Sequence, residues 1–284
     1  MIKPALQDDA FLSAVRDADS QEDFFLWWLG QSGFLVKWRG RQLLFDPYLS
    51  DSLTRKYADT DKPHERMTER VVHPGTLEGV EVVTSSHNHT DHLDAETLHA
   101  LHETNPGLTL VLPSANVEFA EDRLGENCPF FLPVDVDETV ASNGFSITAI
   151  LAAHDDVKLD QQGRSHFLGF VAKFGPWAIY HSGDTRLHDH LIPSLIPHSV
   201  DLALVPINGY KPERRVAGNL NGTEAATLAK QIGARIAIPH HFDMFAFNTE
   251  TPAEFEREAE SLGQPVKVLQ AGETWCSSEL ASIA

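Results

Sequence analysis

Six consecutive positions, His87-Asn88-His89-Thr90-Asp91-His92, carry three histidines and an aspartate, and they constrain this chain more than any other feature. The VEVVTSS run before them reads as a buried strand, and LDAETLHALHE after them reads as a helix with acids in its first turn. The loop therefore occupies a strand-to-helix junction. On extended chain His87 and His89 point to the same side. Asp91 and His92 follow where the chain turns and face a neighbouring point. A helical His-x-x-x-His pair would present two ligands to one metal; this spacing instead suits two adjacent metals, each taking two ligands from the loop. Imidazole favours zinc, iron, nickel and copper, and carboxylates admit manganese. A merely solvated polar loop would not need this spacing.

Four ligands cannot fill two metal sites. Three later places, each where an apolar strand ends in a polar residue, offer more: His154 in SITAILAAHDD, Asp184 in AIYHSGDT, and His240 or His241 in ARIAIPHHFD. The remaining elements are short. FFLWWLG, GFLVKWRG and RQLLFDPYL, punctuated by Gly30, Gly33 and Gly40, read as adjacent antiparallel strands. SDSLTRKYADTDKPHERMTER is polar and turn-rich, a loop able to lie over a site. LTLVLP, DLALVPIN, ARIAIPHH and PVKVLQ are predicted strands; SANVEFAEDRL, TEAATLAKQIG and PAEFEREAESLG are predicted helices. Short β runs fill Phe130 to Ala153, and HFLGFVAKF with WAIYHSGD makes a hairpin turned at Gly175-Pro176. β-rich blocks thus alternate with strand–helix pairs, in two β-then-βα halves, and no low-complexity linker divides them. Residues 23–284 are expected to form one domain of two sheets between outer helices, preceded by an exposed acidic leader over residues 1–22.

The charge balance limits the partners. Asp and Glu outnumber Lys and Arg by 41 to 22, a net charge of −19. That argues against nucleic acid, because neutralising phosphates needs cations, while leaving room for a small anion held by a few local ones. Cys128 and Cys276 are too few and too isolated for a disulfide framework or a thiolate metal site, which fits a reducing cytoplasm. No signal-peptide pattern opens the chain, and no apolar stretch approaches membrane-spanning length. A cytoplasmic protein with a small-molecule substrate and no membrane partner is the expectation.

With its His-x-His-x-Asp-His loop, a later strand-end His, a Gly-Asp-Thr and a last strand-end His, the chain resembles the metallo-β-lactamase-fold hydrolases from about Phe24 to its end. The resemblance implies an α+β fold, a four-layer αββα sandwich. It puts His87, His89 and His154 on one divalent metal and Asp91, His92 and His241 on a second, with Asp184 bridging. His241 is favoured over His240 because family members carry the ligand two residues after the proline, here Pro239. WWLGQSGFLVKW, FDPYLSD, YHSGDT and IPHHFD resemble the branch that contains L-ascorbate-6-phosphate lactonase. The implied activity is hydrolysis of a small, anionic lactone or phosphoester by a hydroxide shared between two ions, zinc or manganese with iron also accommodated. Asp184 would hold the pair, and Asp91 would also accept a proton. The family's habits further imply a homo-oligomer.

Substrate choice must lie in the surrounding loops. His181, three residues before Asp184, is a candidate for touching substrate or orienting Asp184. Lys211, Arg214 and Arg215 form a cationic cluster ahead of a helix whose start near Thr223 could attract an anion. Asp46, at a strand end, is expected to order its loop or orient a metal ligand, and His64 lies in the loop that could cover the site. Trp27, Trp28 and Phe25 are expected in the core. Among rival readings, a nuclease is disfavoured by the acidity and a secreted β-lactamase by the lack of a signal pattern. Phospholipid hydrolysis would want a membrane-facing segment, which is not evident. Diiron redox relatives carry glutamate at the second loop position, where this chain has His89, and a silent binding protein would show gaps in the ligand set.

Overall fold

Two residues four apart decide the fate of the acidic N-terminal stretch. In the computed structural model, which describes residues 1–126 and 128–282, helix α1 (Asp8–Asp17) turns Phe11 and Val15 onto one face, and both are buried in the main core. Ile2 bridges to Thr68, and the Ala5 amide donates to the Ala271 carbonyl at 2.7 Å. The stretch expected to be exposed therefore has one face packed on the rest of the chain.

The glycine-punctuated runs that follow form β1 (Phe25–Gly30), β2 (Gly33–Trp38) and β3 (Arg41–Phe45), antiparallel neighbours as their short turns require. Short helix α2 (Ser52–Lys56) lies in the polar loop after them. Then β4 (Val80–Thr84), α3 (Ala95–Thr104), β5 (Thr109–Pro113), α4 (Val117–Leu124) and β6 (Phe130–Val134) alternate, and β3 to β6 pair in parallel. Strand β13 (Thr274–Cys276) returns to the far edge against β1, giving a seven-stranded mixed sheet.

The second sheet repeats the plan. Strands β7 (Thr139–Ser142), β8 (Phe145–Leu151), β9 (Leu168–Phe174) and β10 (Trp177–His181) are antiparallel; β11 (Leu202–Pro206) and β12 (Ile236–His240) add in parallel after α5 (Leu191–Leu195) and α6 (Gly222–Gln231). Helix α7 (Ala253–Leu262) packs on α6. The architecture is the expected αββα sandwich of two mixed sheets. Aromatic side chains join the sheets: Phe34 lies edge-on to His181 and His240, and Trp38 and Phe24 both meet Phe174.

PVKVLQ departs from expectation. It makes a single bridge, Ala237 with Val266, and forms no strand; the closing strand is Thr274–Cys276. A smaller buried cluster of Tyr48, Leu53, Met244 and Phe245, with Tyr57 and Phe247 against it, stands apart from the main core. Among the described residues, no helix is long and apolar enough to cross a membrane.

Candidate metal centre

The ends of four strands converge on one point: β4 leads into the histidine loop, β8 to His154, β10 to Asp184 and β12 to His241. Three overlapping groups bring ligand atoms within 4.8 Å of one another: His87, His89 and His154; His87, His92 and Asp184; Asp91, His92 and His241. Asp184 spans them. Its Oδ1 lies 3.4 Å from His92 Nε2, and its Oδ2 lies 3.6 Å from His154 Nε2 and 3.4 Å from His241 Nε2. Asp91 Oδ2 is 3.7 Å from His92 Nε2 and 3.9 Å from His241 Nε2.

The outward nitrogens are anchored, which aims the inward ones. His92 Nδ1 donates to Asp46 Oδ2 at 2.7 Å, and His154 Nδ1 shares its proton between the Gly218 carbonyl and Asn219 Oδ1, each at 3.0 Å. His87 Nδ1 faces Ser86 Oγ at 3.0 Å. Meanwhile His87 Nε2, His92 Nε2 and Asp184 Oδ1 are buried and have no hydrogen-bond partner among the described residues. Leaving such atoms unpaired in a protein interior is costly, and a cation between them would satisfy all three. This donor set fits zinc, manganese or iron.

Charge supports the same fit. Burial pushes the His87 and His154 imidazoles below the usual histidine range, and it drives His89, beside His154, down to about 4. These rings are neutral at pH 7, with lone pairs free to coordinate. For Asp184, burial opposes ionisation, but His241 and His92 hold the carboxyl well below the usual range; for Asp91 burial is likewise overcome, chiefly by His92. His92 is the exception. Burial disfavours its charge, yet Asp184 and Asp91 raise its pKa well above the ordinary value. Asp46, Asp91 and Asp184 are thus all held ionised around His92, a grouping of carboxylates suited to cations.

Asp46 is placed for the positioning role expected of it. Besides His92 it accepts from Thr84 Oγ1 at 2.6 Å and from the Ser86 amide at 3.1 Å, so it ties the end of β3 to the histidine loop. Replacing it with alanine is expected to weaken metal affinity by about 10–100-fold, measured by competition with a chromogenic chelator; an unchanged affinity would rule that role out.

Gly183 sets how closely Asp184 approaches the loop. Its φ is +57°, and a Cβ there would sit 2.6 Å from Ser86 Cβ and 2.7 Å from the Leu168 carbonyl oxygen. Gly183→Ala is expected to cost about 2–4 kcal/mol through left-handed strain and overpacking. Denaturant unfolding checks this, and an alanine variant as stable as the parent would refute it.

Other expectations need correction. His181 does not line the cavity above the centre. It is buried between the sheets, stacked on Phe45 at 5.0 Å and His240 at 5.1 Å, with Nε2 donating to the Ser32 carbonyl at 2.8 Å. Its Nδ1 accepts from the Gly183 amide at 3.2 Å, which fits the other role expected of it, orienting Asp184, while the ring stays out of the cavity. His240 lies in the same stack, and the side chain grouped with Asp91 and His92 is that of His241. Lys211 and Arg214 both pair with Glu250 and lie outside the cavity, whereas Arg215 lines it. The start of α6 carries its own capping box, Glu224 N donating to Asn221 Oδ1 at 2.8 Å and the Asn221 amide donating to Glu224 Oε2 at 3.0 Å, and none of its residues lines the cavity.

Gln31 was not anticipated. Its amide donates to Asp91 Oδ2 at 2.8 Å and approaches His241 Nε2 at 3.1 Å, while its carbonyl accepts from the His241 amide. The GQSG turn between two strands was its one sequence signal, since turns at strand ends commonly carry function. The cavity itself encloses about 470 Å³ and opens directly onto His89, Asp91, His154, Asp184 and His241.

Comparison with known proteins places this centre in a family. The beta-lactamase superfamily domain matches residues 41–242. A UPF0173 metal-dependent hydrolase from Opitutus terrae is 30% identical over 258 residues, covering 88% of this chain and 98% of that protein. Among solved structures, the metallo hydrolase Igni18 of Ignicoccus hospitalis is similar with a TM-score of 0.65 and 21% identity, over 89% of this chain and 98% of that one. CmlA, a diiron β-hydroxylase from Streptomyces venezuelae, matches with a TM-score of 0.66 and 17% identity, over 92% of this chain and 55% of its own. At such identities the two structures speak for the fold alone. The chain belongs to the beta-lactamase superfamily, in the family of the UPF0173 metal-dependent hydrolases.

Proposed function

We propose that the chain hydrolyses a small, anionic lactone or phosphoester at a centre of two divalent metal ions. One observation carries this reading: the Asp184 carboxylate lies within 3.6 Å of His154 from one ligand group and of His92 and His241 from the other, so a single side chain addresses both positions. His87, His89 and His154 would hold one ion, Asp91, His92 and His241 the second, and Asp184 both. A pair of zinc, manganese or iron ions so held supplies a nucleophile from water near neutral pH and polarises the attacked oxygen. Asp91, fixed by Gln31, is placed to take up the proton released on attack. Asp46, Asn219 and the Gly218 carbonyl keep the imidazoles aimed throughout.

The resemblance of WWLGQSGFLVKW, FDPYLSD, YHSGDT and IPHHFD to the branch that contains L-ascorbate-6-phosphate lactonase makes that phosphorylated lactone the first substrate to try. Proton release from L-ascorbate 6-phosphate by manganese-loaded protein, abolished in Asp184→Ala, is the expected result. No release by protein shown to hold two ions would remove this substrate. Inertness of the same protein toward a panel of phosphodiesters and lactones would sink the hydrolase reading.

A further inference from the structure

The cavity wall differs in composition from the rest of the molecule. In a chain where acids outnumber Lys and Arg by 41 to 22, the wall presents Lys56, Lys62, Arg123 and Arg215, and its carboxylates are the ligands Asp91 and Asp184. Among the described residues, Lys56, Lys62 and Arg123 form no ion pair. Lys62 Nζ donates to the Arg214 and Arg215 carbonyls at 3.3 and 2.6 Å, and Arg123 donates to the Asn88 and Leu93 carbonyls at 2.8 and 3.1 Å. Such bonds fix a cation in place without neutralising it. Only Arg215 has a carboxylate partner, the exposed Asp61.

Beside these cations stands an aromatic recess. The Tyr57 ring stacks on His64 at 4.1 Å with 20° between planes, and Phe247 and Phe245 approach the same imidazole at 4.5 and 5.2 Å. His64 Nδ1 donates to the Lys62 carbonyl at 3.0 Å, which fixes the ring's orientation. Tyr57, His64 and Phe247 stay half-buried, and they line the cavity together with Leu53 and Phe245.

We infer that the site selects an anion that carries a flat apolar ring. The ring lies in the recess of Tyr57, His64 and Phe247, and the negative charge lies between the metal centre and the Lys56–Lys62 rim. This inference rests on the hydrolase reading for its substrate class. The two requirements are complementary: unpaired cations demand charge, and half-buried aromatic faces gain from covering. A space of about 470 Å³ is of the size that holds one small molecule.

The test is calorimetric titration of the zinc-loaded full chain, its metal content measured, with phenylphosphonate and methylphosphonate. Phenylphosphonate is expected to bind at least about tenfold tighter. Phe247→Ala should remove that advantage while leaving methylphosphonate binding unchanged, and Lys62→Met should weaken both probes. Equal affinity of the two probes in the parent protein, or no binding of either, overturns the inference. A Phe247→Ala variant that weakens both probes equally also overturns it, as the mark of a structural role. Phosphonates are not turned over, so the two readings fail separately. Ring preference without hydrolysis of any ester would remove the hydrolase reading and keep the recess; hydrolysis without ring preference would do the reverse.

Discussion

Asp184→Asn is expected to leave the protein folded but holding fewer than two ions per chain, with hydrolysis reduced by at least about a thousandfold, some 4 kcal/mol of barrier. The substitution preserves the shape of the side chain and removes its charge. That charge is held in place well below the usual carboxylate range by His241 and His92, against the effect of burial, so it persists at any working pH. An amide can offer one oxygen to one ion and cannot balance two. Several kcal/mol of stabilisation is what a metal pair supplies to charge developing in a transition state, and most of that depends on keeping both ions. Metal analysis beside activity decides the matter: two ions retained with undiminished turnover would show that Asp184 is not the shared ligand.

The second large effect is on stability. Each ion present at a thousandfold excess over its dissociation constant adds about 4 kcal/mol to a fold that alone can bind it. For a chain of this size each kcal/mol is worth about 2–4 °C, so stripping the metal with a chelator should lower the melting midpoint by about 10 °C or more. The residues give the reason. Without cations, Asp46, Asp91 and Asp184 stand ionised around His92, and inward-facing atoms of His87, His92 and Asp184 lack partners. The candidate ligands also come from both sheets, so ions would join the halves of the sandwich. Protons oppose this: the ligand imidazoles must be neutral, and acidification should release the metal and the added stability together. Superimposable melting curves for chelated and loaded protein would contradict the account.

The candidate metal ligands were legible because their chemistry is local. His87, His89, Asp91 and His92 announce themselves by spacing at a junction of two periodicities, and His154, Asp184 and His241 each end an apolar run. Asp46 was legible in the same way, as an acid at a strand end. What failed was whatever depended on a distant partner. Lys211 and Arg214 looked like a free cationic cluster because Glu250, which pairs with both, lies far along the chain. Of the two roles expected for His181, orienting Asp184 fits its bond to the Gly183 amide, but strand alternation turns the ring between the sheets and away from the cavity, which does not fit contact with substrate. PVKVLQ has strand-like composition, yet it meets the β12 edge at one bridge only, Ala237 with Val266, and the strand that pairs with β1 is residues 274–276, a pairing with no sequence signature at such separation. In α1, two buried side chains were hidden among acids.

Tyr48, Leu53, Met244 and Phe245 pack among themselves and not into the main core. Drift in that small cluster and in the neighbouring Tyr57 and Phe247 can reshape the mouth of the cavity while the strands that present His87, His154, Asp184 and His241 stay as they are. Descendants of one ancestral catalyst could in this way come to accept different molecules by changing a few covering side chains, each keeping the inherited ion cage intact.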